Sequence, residues 1–414
     1  MKNICVVGLG YIGLPTASLM ATKGLSVLGV DVNPTVIEAI NRGETHITEP
    51  DLDLLVKSAV HSGHLKAALE PAPSEAFIIA VPTPFKAGHA PDLGYIESAV
   101  KAIIPHVAPG NLVILESTSP VGTTDLIGEM IETARPDLQA LPSRTGGSGS
   151  RVYLAHCPER VLPGRIIREL VDNDRIIGGV DPESAERART LYEQFTAGRI
   201  FLTNARTAEM AKLAENAFRD VNIAFANELS LICRQLGVDI WELIGLANRH
   251  PRVKILEPGP GVGGHCIAVD PWFIVHSAPD LARLLRTARE VNDGRPDVIV
   301  AEVKDRAGKL VNPDIACLGL SYKADVGDLR ESPAVAIVKK LASWTAGTLL
   351  VVEPHINTLP ATLSREKNVV LAGLDEALSR AKVVVLLVNH RTFLSMDRTR
   401  LAGKVLVDTR GAWR

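Results

Sequence analysis

The sequence predicts an α/β protein in which two doubly wound, parallel-sheet domains are joined by a long central helix and an all-helical middle region. Three observations lead there. Short β-branched strands alternate with helical stretches from Ile4 to about residue 200, and again from Ile315 to Val407, which is the strand–helix–strand rhythm of a parallel sheet. Between them, Thr207 to Leu236 contains no glycine or proline. Within it Met210, Leu213, Ala217, Val221, Ala224, Phe225, Leu229 and Ile232 recur every three or four residues, the stripe of an amphipathic helix. Finally, 414 residues are too many for one core. The expected domains are 1–203, 204–308 and 309–414.

Composition narrows the class. Hydrophobic residues make up 46% and charged residues 22%, with a net charge of -2. That balance gives no electrostatic reason to expect nucleic acid or an acidic membrane as partner. Five cysteines lie scattered without a C-x-x-C pair, so reduced thiols in a cytoplasm are expected rather than a disulfide frame. The chain enters a strand at once, and no signal peptide is expected. Its longest apolar runs, such as Val383 to Val388, are strand-length, far short of a membrane span.

The first domain opens with Ile4 to Val7, then Gly8-Leu9-Gly10-Tyr11-Ile12-Gly13, a helical stretch to about Lys23, and a second strand closed by Asp31. Strand, G-x-G-x-x-G, helix, strand and acid together form a dinucleotide-binding fingerprint. Gly8 permits the tight turn, Gly10 the approach of a pyrophosphate, and Gly13 close helix–strand packing. Asp31 can accept from both ribose hydroxyls and would repel a 2′-phosphate, which favours NAD over NADP. Further strands end at Pro82-Thr83-Pro84 and at Glu116-Ser117-Thr118-Ser119-Pro120. Thr83, Ser117 and Thr118 either meet the nicotinamide ribose or cap the following helices. Leu141 to Ser150 has linker composition. In His156-Cys157-Pro158-Glu159-Arg160-Val161, the Glu-Arg pair between prolines is either a site wall or a surface salt bridge.

The central helix spans about 45 Å at about 1.5 Å per residue, long enough to bridge two domains and offer a subunit interface. Lys212, Asn216 and Arg219 fall at i, i+4 and i+7. They are either a solvated face or a cluster suited to an oxyanion and a phosphate or sugar acid. After Arg249-His250-Pro251-Arg252 comes Gly259-Pro-Gly-Val-Gly-Gly-His-Cys-Ile-Ala-Val-Asp-Pro-Trp272. Its glycines and prolines exclude regular structure. Cys266 is either a small buried residue in a glycine turn or a nucleophile, with Asp270 four residues on. Helix is expected again over Leu281 to Asn292. The third domain lacks a G-x-G-x-x-G after its first strand. It can hold a nucleotide, with Lys323 and Arg330 as phosphate or carboxylate partners.

These features together resemble the UDP-glucose/GDP-mannose dehydrogenase family. The residues that carry the resemblance are Gly8-x-Gly10-x-x-Gly13, Pro82-Thr83-Pro84, Ser117-Thr118-x-Pro120-x-Gly122-Thr123, Pro158-Glu159-Arg160, Lys212-x-x-x-Asn216, Gly263-Gly264-His265-Cys266 and Lys323 to Pro333. They run end to end in the family's order. The resemblance implies a four-electron oxidation of the C6 alcohol of a UDP-sugar to a carboxylate by NAD, and a homodimer through the central helix. It implies Cys266 as nucleophile, Lys212 and Asn216 as oxyanion partners, and Asp270 or Glu159 as aids to hydrolysis. Gly8, Gly10, Tyr11, Ile12, Gly13, Asp31, Thr83, Thr118 and Arg330 would hold NAD. Arg160, Val161, Lys212, Asn216, Arg219, His250, Arg252, Gly263, Tyr322 and Lys323 would hold the UDP-sugar, Arg252 from across a dimer interface. Three rivals stand beside this reading: a two-electron dehydrogenase with Lys212 as base, a non-catalytic NAD-binding sensor, and a metal site on the His156-Cys157 and His265-Cys266 pairs. The spacing of those pairs matches no common zinc pattern, so no metal is expected.

Overall fold

The computed structural model describes residues 1–142, 150–308 and 310–413. Of the linker-like stretch, residues 143–149 lie outside the described residues, as does the closing Arg414. The chain forms two compact units, Met1–Glu215 and Asn216–Arg414. The helix Ala205–Leu236 begins in the first and ends in the second.

The first unit holds β1 (Asn3–Val7), β2 (Ser26–Val30), β3 (Leu65–Ala68), β4 (Ala76–Ile79), β5 (Leu112–Leu115), β6 (Leu138–Gln139), β7 (Ser150–Arg151), β8 (Tyr153–His156), β9 (Arg175–Gly179) and β10 (Ile200–Asn204). Eight of them form one sheet in the order β10-β9-β8-β5-β4-β1-β2-β3, while β6 and β7 pair separately. Neighbours in the large sheet run parallel, except β8 and β9. Both faces are buried. Ile4, Val6, Ile78 and Ile114 point into one core, and Cys5, Val7, Phe77, Ile79 and Val113 into another. That explains why these strands read as unbroken apolar runs rather than alternating ones.

The second unit carries β11 (Ile315–Leu318), β12 (Leu349–Val352), β13 (Val369–Leu371), β14 (Val383–Leu386) and β15 (Val405–Asp408), all parallel, in the order β13-β12-β11-β14-β15. The chain leaves β11 toward one side and returns on the other. This makes the carboxyl end of β11 a topological switch point, where open parallel sheets bind ligands.

Two elements differ from the sequence reading. Asp270 to Trp272, expected to lie in an irregular loop, open the helix Asp270–Ser277, whose first turn tolerates Pro271 because an N–H there has no partner within the helix. The helix expected over Leu281 to Asn292 runs over Arg283–Ala307, through Pro296. Pro296 has no N–H to give the carbonyl four residues back, Asn292. The glycine loop packs there: a Cβ on Gly261 would lie 3.1 Å from that carbonyl oxygen. Tertiary packing thus tolerates a residue that ends helices in isolation.

Candidate active site

In the first unit the glycine fingerprint forms a cradle at the carboxyl end of β1. Gly8 has φ +94, and a Cβ there would meet the Ala80 carbonyl oxygen at 2.5 Å. A Cβ on Gly13 would lie 1.8 Å from the Gly8 carbonyl oxygen, whereas one on Gly10 would meet nothing within 4 Å. The open side at Gly10, beside the start of the helix Gly13–Thr22, fits a pyrophosphate. Asp31, at the end of β2, accepts from the Leu9 and Asn33 amides, each at 3.0 Å. Its carboxylate is thereby fixed beside the turn. Tyr11 is exposed and Ile12 half-buried. Thr83 donates to the Thr118 carbonyl at 2.6 Å, and Ser117 to the Val81 carbonyl at 2.7 Å. The two hydroxyls therefore tie the ends of β4 and β5 together and cap no helix.

Glu209, on the long helix, holds the next turn. Its buried carboxylate accepts from the Gly122 amide at 2.6 Å, the Thr124 amide at 2.8 Å and the Thr124 hydroxyl at 2.7 Å. It serves as a remote cap for the helix Thr123–Ala134. The sequence reading missed it because the partners are far apart in the chain.

Past β8 the sequence-adjacent Glu159 and Arg160 part company. Arg160 forks onto Glu215 at 2.8 and 3.2 Å and donates to the Asp174 carbonyl at 3.0 Å. Glu159 turns inward, and its Oε1 is sealed from solvent without a hydrogen-bond partner. Burial pushes its carboxyl up to about 7 against the opposing pull of the Lys212 ammonium, and Lys212 is itself buried. A carboxyl that titrates near neutrality is matched to proton transfer at working pH. His156 is buried, and burial pushes its pKa down to about 3, so the ring is neutral. Burial pushes the Cys157 thiol up to about 11, away from the thiolate that a metal takes. Val161 is half-buried against the core.

In the second unit, the glycine loop is bolted down at its first residue. The Gly259 amide donates to Asn227 Oδ1 at 2.8 Å, and its carbonyl accepts from Arg295 at 3.0 Å. Asn227 bonds Asn292 at 2.8 Å. Asn292 and Arg289 both reach Asp220, at 2.8 and 2.6 Å. This buried polar ladder joins the long helix to the helix Arg283–Ala307 and fixes where the loop starts. Further on, Gly264 (φ +85) donates its amide to the Arg330 carbonyl at 3.0 Å. Cβ atoms on Gly263 and Gly264 would lie 2.8 and 3.0 Å from Tyr322, so glycine is what lets the loop touch the segment after β11.

Cys266 follows in a turn, its carbonyl accepting from the Val269 and Asp270 amides at 3.0 and 2.8 Å. Of the five cysteines, Cys5, Cys157, Cys233 and Cys317 are buried; Cys266 is not. Asp270 opens the helix Asp270–Ser277 with a buried carboxylate that accepts from the Asn216 amide. Arg219, His250 and Arg252 are exposed, with the Arg252 amide donating to His250 Nδ1 at 3.3 Å. Tyr322 and Lys323 are half-buried, and exposed Arg330 forks onto Asp328. Among the described residues one group of ligating types, Asp325, His355 and His390, brings its donor atoms within 4.8 Å of one another. His390 Nδ1, however, accepts the Asp325 amide at 2.9 Å, which commits the lone pair a metal would need.

Three family models cover the chain. The NAD binding domain of the UDP-glucose/GDP-mannose dehydrogenase family matches residues 2–196, its central domain 206–294 and its UDP binding domain 316–414. The chain belongs to this family. It is an NAD-dependent oxidoreductase with a UDP-binding domain. The NDP-N-acetyl-D-galactosaminuronic acid dehydrogenase of Ralstonia nicotianae is 58% identical, over 100% of this chain and 96% of its own length. The UDP-N-acetyl-D-mannosamine dehydrogenase of Campylobacter jejuni is 55% identical, over 97% of this chain and 98% of its own. The solved structure of a UDP-D-ManNAc dehydrogenase from Pyrococcus horikoshii shares 40% identity at a TM-score of 0.88, covering 100% of this chain and 96% of that one. No helix among the described residues is long and apolar enough to cross a membrane.

Proposed function

We propose that the chain oxidises UDP-N-acetyl-D-mannosamine at C6 to UDP-N-acetyl-D-mannosaminuronate, consuming two NAD⁺ and supplying surface polysaccharide synthesis. The observation that carries the reading is the partial exposure of Cys266, half-buried where the other four thiols are buried, in a glycine loop anchored at Gly259. Bound NAD⁺ supplies the hydride acceptor for each oxidation. Gly8, Gly10, Tyr11, Ile12, Gly13, Asp31, Thr83, Thr118 and Arg330 are its proposed contacts. Arg160, Val161, Arg219, His250, Arg252, Gly263, Tyr322 and Lys323 are those of the UDP-sugar.

Cys266 attacks the C6 aldehyde as a thiolate, forming the C–S bond of a thiohemiacetal while the carbonyl oxygen takes up a proton. Loss of a hydride and that proton leaves a thioester, which water cleaves to the carboxylate and the regenerated thiol. Lys212 and Asn216 stabilise the oxyanion, with Lys212 shuttling protons. Glu159, titrating at about 7, takes the proton of the hydrolytic water. Asp270, buried on the Asn216 amide, orients that amide.

In this reading 1–203 is the NAD-binding domain, 204–308 the central domain and 309–414 the UDP-sugar domain. The protein is a cytoplasmic homodimer through the central helix. Phe218, Phe225 and Ile232, seven residues apart on that helix, are 71%, 52% and 45% exposed, an apolar seam of coiled-coil spacing.

The relative named for N-acetyl-D-galactosaminuronic acid favours one second reading, the same oxidation on UDP-N-acetyl-D-galactosamine. A screen of NADH release over UDP-ManNAc, UDP-GalNAc, UDP-GlcNAc, UDP-glucose and GDP-mannose decides. UDP-ManNAc is expected to have the highest kcat/KM; a higher value for any other sugar overturns the assignment.

A further inference from the structure

Two buried side chains at the switch point of the second sheet have no part in the chemistry above. Glu353 leaves the carboxyl end of β12, and His390 follows β14. These strands flank β11 on either side, so one residue stands on each side of the segment that leaves β11. Both are buried. Glu353 Oε2 accepts from the Leu320 amide at 2.7 Å, the Ser321 amide at 3.0 Å and His390 Nε2 at 3.0 Å. His390 Nδ1 accepts from the Asp325 amide at 2.9 Å. These bonds assign the tautomer: the proton sits on Nε2, facing the carboxylate. Between the two clasped ends, the Ser321 hydroxyl donates to the Lys323 carbonyl at 2.7 Å. Asp325, a non-glycine residue at φ +59, is held further by the Arg391 amide at 3.1 Å and guanidinium at 2.9 Å. An isolated left-handed residue and a six-residue loop are not self-stabilising, so the pair fixes the loop from beneath.

We propose that His390, held by Glu353, is a positioning residue for nucleotide binding: through the Asp325 amide it sets the 320–325 loop in the conformation that presents Tyr322 and Lys323 to the UDP group. The inference rests on the proposed contact of Tyr322 and Lys323 with the UDP-sugar. The two ring nitrogens have separable jobs. In His390→Gln the side-chain amide still reaches Glu353 as a donor but offers nothing at the Nδ1 position. In His390→Asn the side-chain oxygen takes the Nδ1 position and accepts the Asp325 amide, while the reach to Glu353 is lost.

The test is calorimetric titration of the full chain and both variants with UDP, and separately with NAD⁺. His390→Gln is expected to weaken UDP binding about tenfold, the effect of one buried hydrogen bond to a loop amide. His390→Asn should restore most of that affinity, and NAD⁺ affinity should be the same in all three proteins. Unchanged UDP affinity in His390→Gln overturns the proposal. Equal loss in both variants, or a parallel loss of NAD⁺ affinity, also overturns it, since either marks a general structural defect. Failure of the unmodified chain to bind UDP would instead bring down the nucleotide reading on which the proposal stands.

Discussion

Replacing Glu159 with glutamine should make the protein more stable and disable it at one step. The carboxyl titrates at about 7 in the fold rather than the ordinary 4.5 because burial disfavours its charge. The folded state therefore holds this proton more tightly than the unfolded state. Below pH 4.5 both states are protonated and the group costs nothing. Between pH 4.5 and 7 the unfolded chain gives up this proton while the folded protein still holds it, so stability falls across that window and levels off above it. Each tenfold of proton affinity is worth about 1.4 kcal/mol, so the full cost above pH 8 is about 3 kcal/mol. Glutamine has the same shape and no charge. Urea unfolding should show Glu159→Gln more stable than the parent by up to about 3 kcal/mol near pH 8, and by under about 1 kcal/mol near pH 5. Rapid mixing with substrate should give a burst of NADH followed by slow turnover, because the thioester forms and its hydrolysis stalls. Equal stabilities at pH 8, or a pH-independent difference, would refute the account of this carboxyl. Steady turnover without a burst would refute its assignment as base.

Three other perturbations test separate parts of the structure. Gly13→Ala places a Cβ 1.8 Å from the Gly8 carbonyl oxygen and should weaken NAD⁺ binding more than about tenfold, read by fluorescence titration; intact affinity would mean the cradle is not the NAD site. Arg289→Ala strands the buried Asp220 carboxylate and should cost about 3–5 kcal/mol in denaturant unfolding, whereas a loss under about 1 kcal/mol would show the ladder to be incidental. Phe225→Glu puts a charge in the exposed apolar seam and should yield monomers in sedimentation velocity; an unchanged dimer would place the interface elsewhere.

Much of this was legible in the sequence because it is local. The glycine fingerprint, Asp31, the uninterrupted 207–236 stripe and the buried strands all carry their meaning within a few residues. What escaped is long-range. Arg160 sits beside Glu159, yet its partner is Glu215, 55 residues away. Glu209 caps a turn 87 residues back. No periodicity encodes such pairs. Asp220 and Asn227 left a trace, two polar groups one heptad apart on a largely apolar stretch, but nothing local says they meet Arg289 and Asn292. The helix expected over Leu281 to Asn292 runs on through Pro296 to Ala307, because packing against the glycine loop tolerates a residue that ends helices in isolation. Thr83 and Ser117 stood between two roles, and geometry shows their hydroxyls tying β4 to β5.

The central claim is that Cys266 turns an alcohol oxidation into a four-electron one. The most direct measurement is the yield of NADH per molecule of UDP-sugar consumed, with the product identified by mass, for the parent chain and for Cys266→Ser. The account predicts two NADH and a carboxylate from the parent, and loss of the complete oxidation in the serine variant. One NADH with a free aldehyde from the parent, or a full yield of carboxylate at the parent's rate from Cys266→Ser, would contradict it.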